Sequence, residues 1–514
     1  MPTATRSAAG SLAPAPRPRV GTTKTSLRVL ACTLLLAAAA VVVPQAASAS
    51  SNQLSLIQDD RELFGELGED PPAVMREIKA LGVDVVRTNI HYYRIYTNSD
   101  QRKAPEGFDA ADPNSPQYDW ATIDRVVNLA DENGLRVLAT VTGPGPHFAS
   151  ETPGKCRSVP CSVRPSPAAF QAFTAAVAKR YSGRIDYYSL WNEPNLDRWI
   201  RPQGRLSRNV YKEGITYRNL WKAGYRSIAR FDRARRNRVL FGEVAAIGDP
   251  LPLIRTALCL DANNRPLRGR DRKRAECGRV SKLNVGGMAV HPYNFGGFGK
   301  RGPQTKTNSS TALPIAYLPR LHRLTSAAAK RGRIGGRGRS VYVTEYGYQT
   351  RPPDPRGVSL KNQARFLNES DRLLFGDRRV KTVAQYELVD VREADEYNSG
   401  LRFVRRGGGS DRKPAYEAYR VPLVVTKRSA NAVEIYGQVR PGGRATVQIQ
   451  TLNGGKFNTV TSVRTNSGGF FRKVIRKQGA AGQNWRLVAP DPSTGAPMPS
   501  RVARAGKALR FFKN

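Results

Sequence analysis

From residue 53 to about 420 the chain alternates short apolar runs of β character with stretches of helical period, the pattern of repeated βα units around a parallel sheet. Eight runs read as strands: Leu54–Ile57, Val83–Arg87, Arg136–Thr140, Ile185–Leu190, Arg238–Phe241, Val285–Val290, Ser340–Val343 and Thr382–Tyr386. Most are rich in Val, Ile, Leu or Tyr at consecutive positions, as strands covered on both faces must be. The intervening helices carry apolar stripes, such as Ile123, Val126, Val127 and Ala130, or Phe170, Phe173, Val177 and Tyr181. Segments 313–330 and 358–375 repeat that period, the second opened by Ser359. Eight such units close most economically as an α/β TIM barrel, (β/α)8. An open doubly wound sheet is the rival, but no Gly-x-Gly-x-x-Gly turn follows the first strand.

Past Arg420 the texture changes to short alternating runs, Ala432–Tyr436 and Ala445–Gln450, punctuated by Pro441-Gly-Gly443, Asn453-Gly-Gly455 and Ser467-Gly-Gly469. These predict a small all-β, sandwich-like domain built on hairpins. At the other end Arg6, Arg17, Arg19, Lys24 and Arg28 precede an apolar run from Val29 to Val43, and Ala47-Ser48-Ala49 follows it. This is the arrangement of a cleaved signal peptide, the run being short for a membrane span. The expected division is a signal peptide at 1–49, a barrel at 50–420 and a basic β-rich accessory domain at 421–514. No later apolar stretch reaches spanning length, so the expectation is a secreted, extracellular protein without a membrane span after signal cleavage.

With Cys32 in the signal segment, Cys156, Cys161, Cys259 and Cys277 remain, an even number suited to two disulfides in an oxidising compartment. Four cysteines allow three connectivities; the local ones, Cys156–Cys161 and Cys259–Cys277, each close a loop between predicted elements. A zinc site is the rival, weakened by the lack of a Cys-x-x-Cys pair or a nearby His. The formal charge of +42 comes from 83 Lys and Arg against 41 Asp and Glu, and residues 421–514 hold sixteen of the basic residues against Glu434 and Asp491. Such a surface attracts polyanions loosely. The accessory domain therefore either grips an anionic cell-wall polymer or carries charge for solubility alone, and no zinc-finger, homeodomain or aromatic-basic signature points to a specific nucleic-acid partner.

Chemistry in a barrel gathers at the C-terminal ends of the strands. The fourth predicted strand runs into Trp191-Asn192-Glu193-Pro194-Asn195, where Pro194 stops further pairing and turns the chain; the seventh delivers Glu345 and Tyr346 before Gly347. Taken alone, Asn-Glu-Pro also fits a helix start, with Asn192 as its cap. Together, the two motifs resemble the clan A retaining glycoside hydrolases, the (β/α)8 group that includes cellulases and β-xylosidases, over essentially the whole of 53–420. The resemblance implies Glu193 as catalytic acid/base and Glu345 as nucleophile in double-displacement hydrolysis of β-glycosidic bonds in oligo- or polysaccharides. It further implies that Asn192 bonds the sugar 2-hydroxyl, that His291 and Tyr293 match the strand-six pair, and that Tyr293 donates to Glu345. Arg87 matches an arginine placed beside the nucleophile, where a cation favours the ionised carboxylate.

Where many members of the clan put a tryptophan under the sugar ring, this chain has Tyr386, as platform or as packing. Trp199 in the strand-four loop is a candidate subsite aromatic and His147 a candidate lining residue of the strand-three loop, unless the prolines and glycines around it only shape that loop. Glu243 faces the same rim with no role assigned to it. The basic stretch Arg265–Arg274, inside the Cys259–Cys277 loop, is compatible with an acidic sugar. No cofactor and no metal is expected, because side chains and water suffice for this chemistry. Two other classes remain: a catalytically inactive barrel that binds carbohydrate or an anionic envelope polymer, and a polyanion binder acting through charge alone, which would show steep salt dependence and indifference to both glutamates.

Overall fold

A computed structural model describes residues 52–278, 282–294, 302–391, 397–404 and 412–512; the expected signal peptide lies outside them. Eight parallel strands close into a barrel: β1 (Leu54–Gln58), β2 (Val85–His91), β3 (Arg136–Thr142), β4 (Tyr187–Leu190), β5 (Val239–Ala245), β6 (Gly287–His291), β7 (Val341–Val343) and β8 (Val380–Tyr386). Each strand pairs with the next, and β1 pairs with β8 to complete the ring. The helices that follow the strands are α1 (Pro71–Ala80), α2 (Ala121–Glu132), α3 (Pro167–Arg180), α4 (Lys212–Phe231), α5 (Pro250–Ala257), α6 (Leu318–Lys330), α7 (Leu360–Phe375) and α8 (Pro414–Arg420).

Local chemistry sets several of these boundaries. Asp70, Ser166 and Ser359 cap α1, α3 and α7 by accepting the backbone N–H of the third helical residue, and prolines occupy the first turns of α1 and α3, where no N–H is needed. The apolar stripe of α2 is buried at Ile123, Val126, Val127 and Ala130, as its spacing requires. Strands β2 and β5 run four residues and β3 two residues beyond their predicted C-terminal limits, and Tyr187 rather than Ile185 begins β4. The extensions into Thr88-Asn89 and Thr142 escape an apolar count, because barrel strands carry polar residues toward the rim.

The all-β part consists of β9 (Leu423–Ser429), β10 (Ala432–Gln438), β11 (Thr446–Asn453), β12 (Lys456–Arg464), β13 (Phe470–Arg476), β14 (Trp485–Pro490) and β15 (Pro497–Pro499). A three-stranded sheet, β9-β10-β13, and a four-stranded sheet, β12-β11-β14-β15, share one core of Val425, Ile435, Ile449, Phe471, Trp485 and Leu487. Asn453 pairs with Lys456 across a turn in which Gly454 and Gly455 both have positive φ, the backbone a two-residue hairpin needs. Both disulfides join the cysteines expected, Cys156 to Cys161 and Cys259 to Cys277. Among the described residues no helix is long and apolar enough to cross a membrane.

Candidate active site

The middle of β2 and the C-terminal ends of β4, β5, β6 and β7 deliver charged side chains into one buried network. Arg87, fully buried, donates from Nη1 to Glu345 Oε1 at 2.7 Å and to Gln58, and from Nη2 to Asn192 Oδ1 at 2.8 Å and Glu243 Oε2 at 3.0 Å. His291, equally buried, sets Nε2 2.6 Å from Glu243 Oε2, and Nδ1 3.1 Å from Glu193 Oε1 and 3.3 Å from Glu345 Oε2. Tyr293 OH donates to Glu345 Oε2 at 3.2 Å, and Trp199 Nε1 to Glu193 Oε2 at 3.3 Å. One carboxylate oxygen from each of Glu193 and Glu345, with one nitrogen of His291, all lie within 4.8 Å of one another. Residues 152 positions apart along the chain thus meet because the barrel is closed.

The backbone is bent to present them. Trp191, Glu193 and Glu243 all have positive φ, at 72°, 35° and 47°. Such conformations cost about 1–3 kcal/mol each for non-glycine residues and persist where surrounding structure holds them. A β-bulge between β5 and β6 supplies part of that hold, since the register slips between Gly242 and Val244 and turns Glu243 out of the regular alternation. The N–H of Glu193 then donates to the carbonyl of Glu243 at 2.9 Å. Gly143 matters for a neighbouring reason, as any side chain there would run into the indole of Trp191.

Opposite charges offset the cost of burial inside the network. Burial alone would lower the pKa of His291, but Glu345, Glu193 and Glu243 bring it up to about 10, so the ring is an imidazolium at neutral pH. Burial alone would raise Glu243, yet Arg87 and His291 hold it down at about 2. Arg87 is pushed the same way: burial opposes its charge, and Glu243 and Glu345 more than restore it. By distance alone Glu193, His291 and Glu345 could hold a cation. Both nitrogens of His291 face carboxylates, so an ion bound through the ring would have to displace a proton and compete with those contacts.

Of the residues singled out in the sequence, Arg87, Asn192, Glu193, His291, Tyr293 and Glu345 meet here. Asn192 accepts from Arg87 and makes no hydrogen bond through Nδ2 among the described residues, which leaves that donor for a ligand. Trp199 is 8% exposed, its ring stacked on His91 at 5.9 Å with the Arg198 guanidinium 5.5 Å away. It therefore has little free face and serves to fix Glu193 through its indole N–H. Burial and the Arg94 and Arg87 cations keep His91 neutral, down at about 3. His147 stands apart: it bonds the carbonyl of Ser158 at 3.0 Å, inside the loop closed by Cys156–Cys161, and among the described residues no hydrogen bond or ion pair links it to either glutamate.

Tyr386 lies at the end of β8 with its ring 5.6 Å from that of Tyr397, which in turn meets Tyr293 at 5.1 Å. Tyr397 comes from a stretch with no strand or helix signal, so nothing in the sequence marks it for the site. The sequence gives Glu243 no role, although Gly242 inside a strand pattern is the mark of a bulge that re-aims its neighbour. Gln58, Thr142 and Thr344 complete the support: Thr142 Oγ1 accepts from the Asn192 N–H at 2.9 Å, and Thr344 Oγ1 donates to Glu243 Oε2 at 2.9 Å.

No family model and no curated protein matches the chain. Among solved structures it is similar to a glucosidase from Croceicoccus marinus, with a TM-score of 0.48 and 11% identity over 88% of this chain and 97% of that one. A hyperthermophilic β-glucosidase from Pyrococcus furiosus gives a TM-score of 0.42 at 15% identity, covering 68% of this chain and 82% of the other. A bacterial Ig-like domain containing GH10 xylanase from termite gut gives 0.42 at 13% identity, covering 72% and 74% respectively.

Proposed function

We propose that the chain is a secreted retaining glycoside hydrolase acting on β-linked oligo- or polysaccharides, with Glu345 as nucleophile and Glu193 as acid/base. One observation carries the reading: oxygens of Glu193 and Glu345 lie within 4.8 Å of one another at the C-terminal rim of a closed barrel. Retaining enzymes hold their two carboxyl groups about 5–5.5 Å apart, whereas inverting enzymes leave about 6.5–9.5 Å for a water between them. Glu345 receives Arg87 and Tyr293 as donors, the setting of a carboxylate that attacks as an anion. Its oxygen bonds to the anomeric carbon as Glu193 delivers a proton to the departing glycosidic oxygen. Water then attacks the glycosyl-enzyme, giving its proton to Glu193 and releasing Glu345. Asn192 Nδ2 is positioned as donor to a sugar hydroxyl, and the Tyr293, Tyr397 and Tyr386 rings form an aromatic wall beside the nucleophile. The two disulfides support an extracellular place for this chemistry. The excess of Lys and Arg past residue 420 supports loose adhesion to an anionic wall polymer.

The test is hydrolysis of a panel of aryl β-glycosides and defined oligosaccharides, with the anomer of the first-formed product read by NMR. Wild type turns over at least one substrate with retention, Glu345→Ala loses several orders of magnitude, and azide restores part of the activity as a glycosyl azide. First-formed product of inverted configuration removes the covalent intermediate. A wild type as inert as Glu345→Ala across the panel replaces catalysis with carbohydrate binding.

A further inference from the structure

On the outer flank of the barrel, away from the carboxylate pair, a second cluster of charges surrounds a small cavity. It is lined by Arg218 and Lys222 of α4, the Cys259–Cys277 disulfide, Glu276 and Arg333, and has a volume of about 40 Å³. Leu283 and Arg333 reach it from the segments leading into β6 and β7, where the Leu283 N–H donates to the Arg333 carbonyl at 2.9 Å. The cavity belongs to none of the machinery described above.

Arg218 is the anomaly. Its residue is only 7% exposed, yet no oxygen of the described residues accepts a hydrogen bond from its guanidinium. Nη1 lies 3.5 Å from each sulfur of the disulfide, weak acceptors at best, and Nη2 lies 3.9 Å from Glu276 Oε2. Arg333 is only partly buried, but its Nε is enclosed and makes no hydrogen bond among the described residues. Arg272 stands close enough to add its charge, anchored by the carbonyls of Cys277 at 2.8 Å and Gly278 at 3.1 Å. Burial pulls the pKa of Arg218 and of Arg333 below the usual arginine value, and Glu276 opposes this for Arg218 alone. Buried guanidinium groups are ordinarily paired with an anion, since an uncompensated buried charge is expensive. Among the described residues, Arg218, Arg333 and the exposed Lys222, with Arg272 nearby, face one carboxylate, that of Glu276, which is itself largely exposed.

We propose that this cavity binds a tetrahedral oxyanion, phosphate or sulfate, free or as a pendant ester. The size agrees: a water takes about 10–15 Å³ by the same measure, so the space holds a few waters or one such ion. Planar guanidinium forks from Arg218 and Arg333, with the Lys222 ammonium as a third point, match the several acceptor oxygens of the ion. Glu276 borders the cavity as a competing charge. The site is independent of the glycosidase reading.

Isothermal titration of the full chain with inorganic phosphate and with inorganic sulfate, at constant ionic strength in chloride, tests it. One saturable site is expected, for which phosphate and sulfate compete and acetate does not. Arg333→Gln and Lys222→Gln each weaken binding at least tenfold; neither side chain donates a hydrogen bond among the described residues, so the fold persists where Arg218→Gln endangers it. Glu276→Gln tightens binding at least threefold, which a purely structural role for these residues would not produce. Glu345→Gln leaves binding unchanged, separating this site from the hydrolytic one. Glycerol phosphate binding alongside inorganic phosphate assigns the site to an esterified group, and its exclusion assigns it to the free ion. The absence of saturable binding, equal binding by wild type and Arg333→Gln, or acetate binding as tightly as phosphate overturns the proposal in favour of general attraction to a basic surface.

Discussion

His291 keeps its proton because carboxylates face both ring nitrogens, and Glu243 is the one that no solvent reaches. The two titrations carry opposite signs. His291 is raised from 6.5 to about 10, so its stabilising effect is complete below 6.5 and is lost as pH rises through about 10. Glu243 is lowered from 4.5 to about 2, so its effect is present above 4.5 and is lost as pH falls through about 2. Glu243→Gln removes an anion from between two buried cations, a change that costs about 3–5 kcal/mol where one partner of a buried pair is deleted. Urea denaturation at neutral pH checks that figure. The same substitution should bring the His291 titration below its wild-type position, and with four histidines in the chain the ring is assignable by NMR. An unmoved His291 titration would mean that Glu193 and Glu345 alone hold the proton.

At the scale of elements, the bulge between β5 and β6 decides where Glu243 points, and Gly242 decides whether the bulge can exist. Its φ is +122°, and a Cβ there would lie 2.5 Å from the carbonyl oxygen of Ala289. Gly242→Ala should therefore destabilise by about 1–3 kcal/mol through backbone strain and also lower the proposed glycosidase activity, although Glu193 and Glu345 are untouched. Gly183→Ala is the control, since Gly183 also has positive φ, +79°, but has nothing within 4 Å of the added atom. Thermal denaturation should register both substitutions, and glycoside turnover only the first; equal turnover in the two would detach the bulge from the chemistry. This is also where sequence reading stopped. The barrel was legible because alternation and helical period are local, and the two glutamates because Pro194 and Gly347 mark strand ends. A bulge is a relation between two strands, so neither shows it alone, and Glu243 went without a role. Tyr397 arrives on a loop and becomes visible only beside Tyr293 and Tyr386. Trp199 and His147 follow strand ends, but which face of a ring is free depends on its neighbours: His91, far off in the chain, for Trp199, and Ser158, eleven residues on, for His147.

At the scale of the whole molecule, the barrel and the β-sheets are joined by a buried ion pair as well as by apolar contact. Phe375 of α7 meets Tyr436 and Phe470 of the first β-sheet, with ring centroids 5.2 and 5.0 Å away. Beside them Arg440, just past β10, holds Asp371 of α7 at 3.2 Å through Nη1 and Nη2 and donates to the Tyr419 carbonyl at 2.8 Å. Even with that partner, burial leaves the Asp371 pKa above its ordinary value. Arg440→Met should thus strand a buried carboxylate and lower stability by about 3–5 kcal/mol at neutral pH. Because the folded-state pKa is raised, protonation favours the fold, and the deficit of Arg440→Met should shrink as pH falls toward the unfolded carboxyl value of 3.8. Combining Asp371→Leu with Arg440→Met removes both charges and should recover stability to within about 1–2 kcal/mol of wild type, since well-packed apolar replacements of buried pairs are often neutral or better. Chemical denaturation of the two single variants and the double variant across pH 4–8 measures the coupling directly. A double variant as unstable as the sum of the singles, with no dependence on pH, would show that the junction is held by the Phe375 contacts and the Arg440–Tyr419 hydrogen bond instead of by charge.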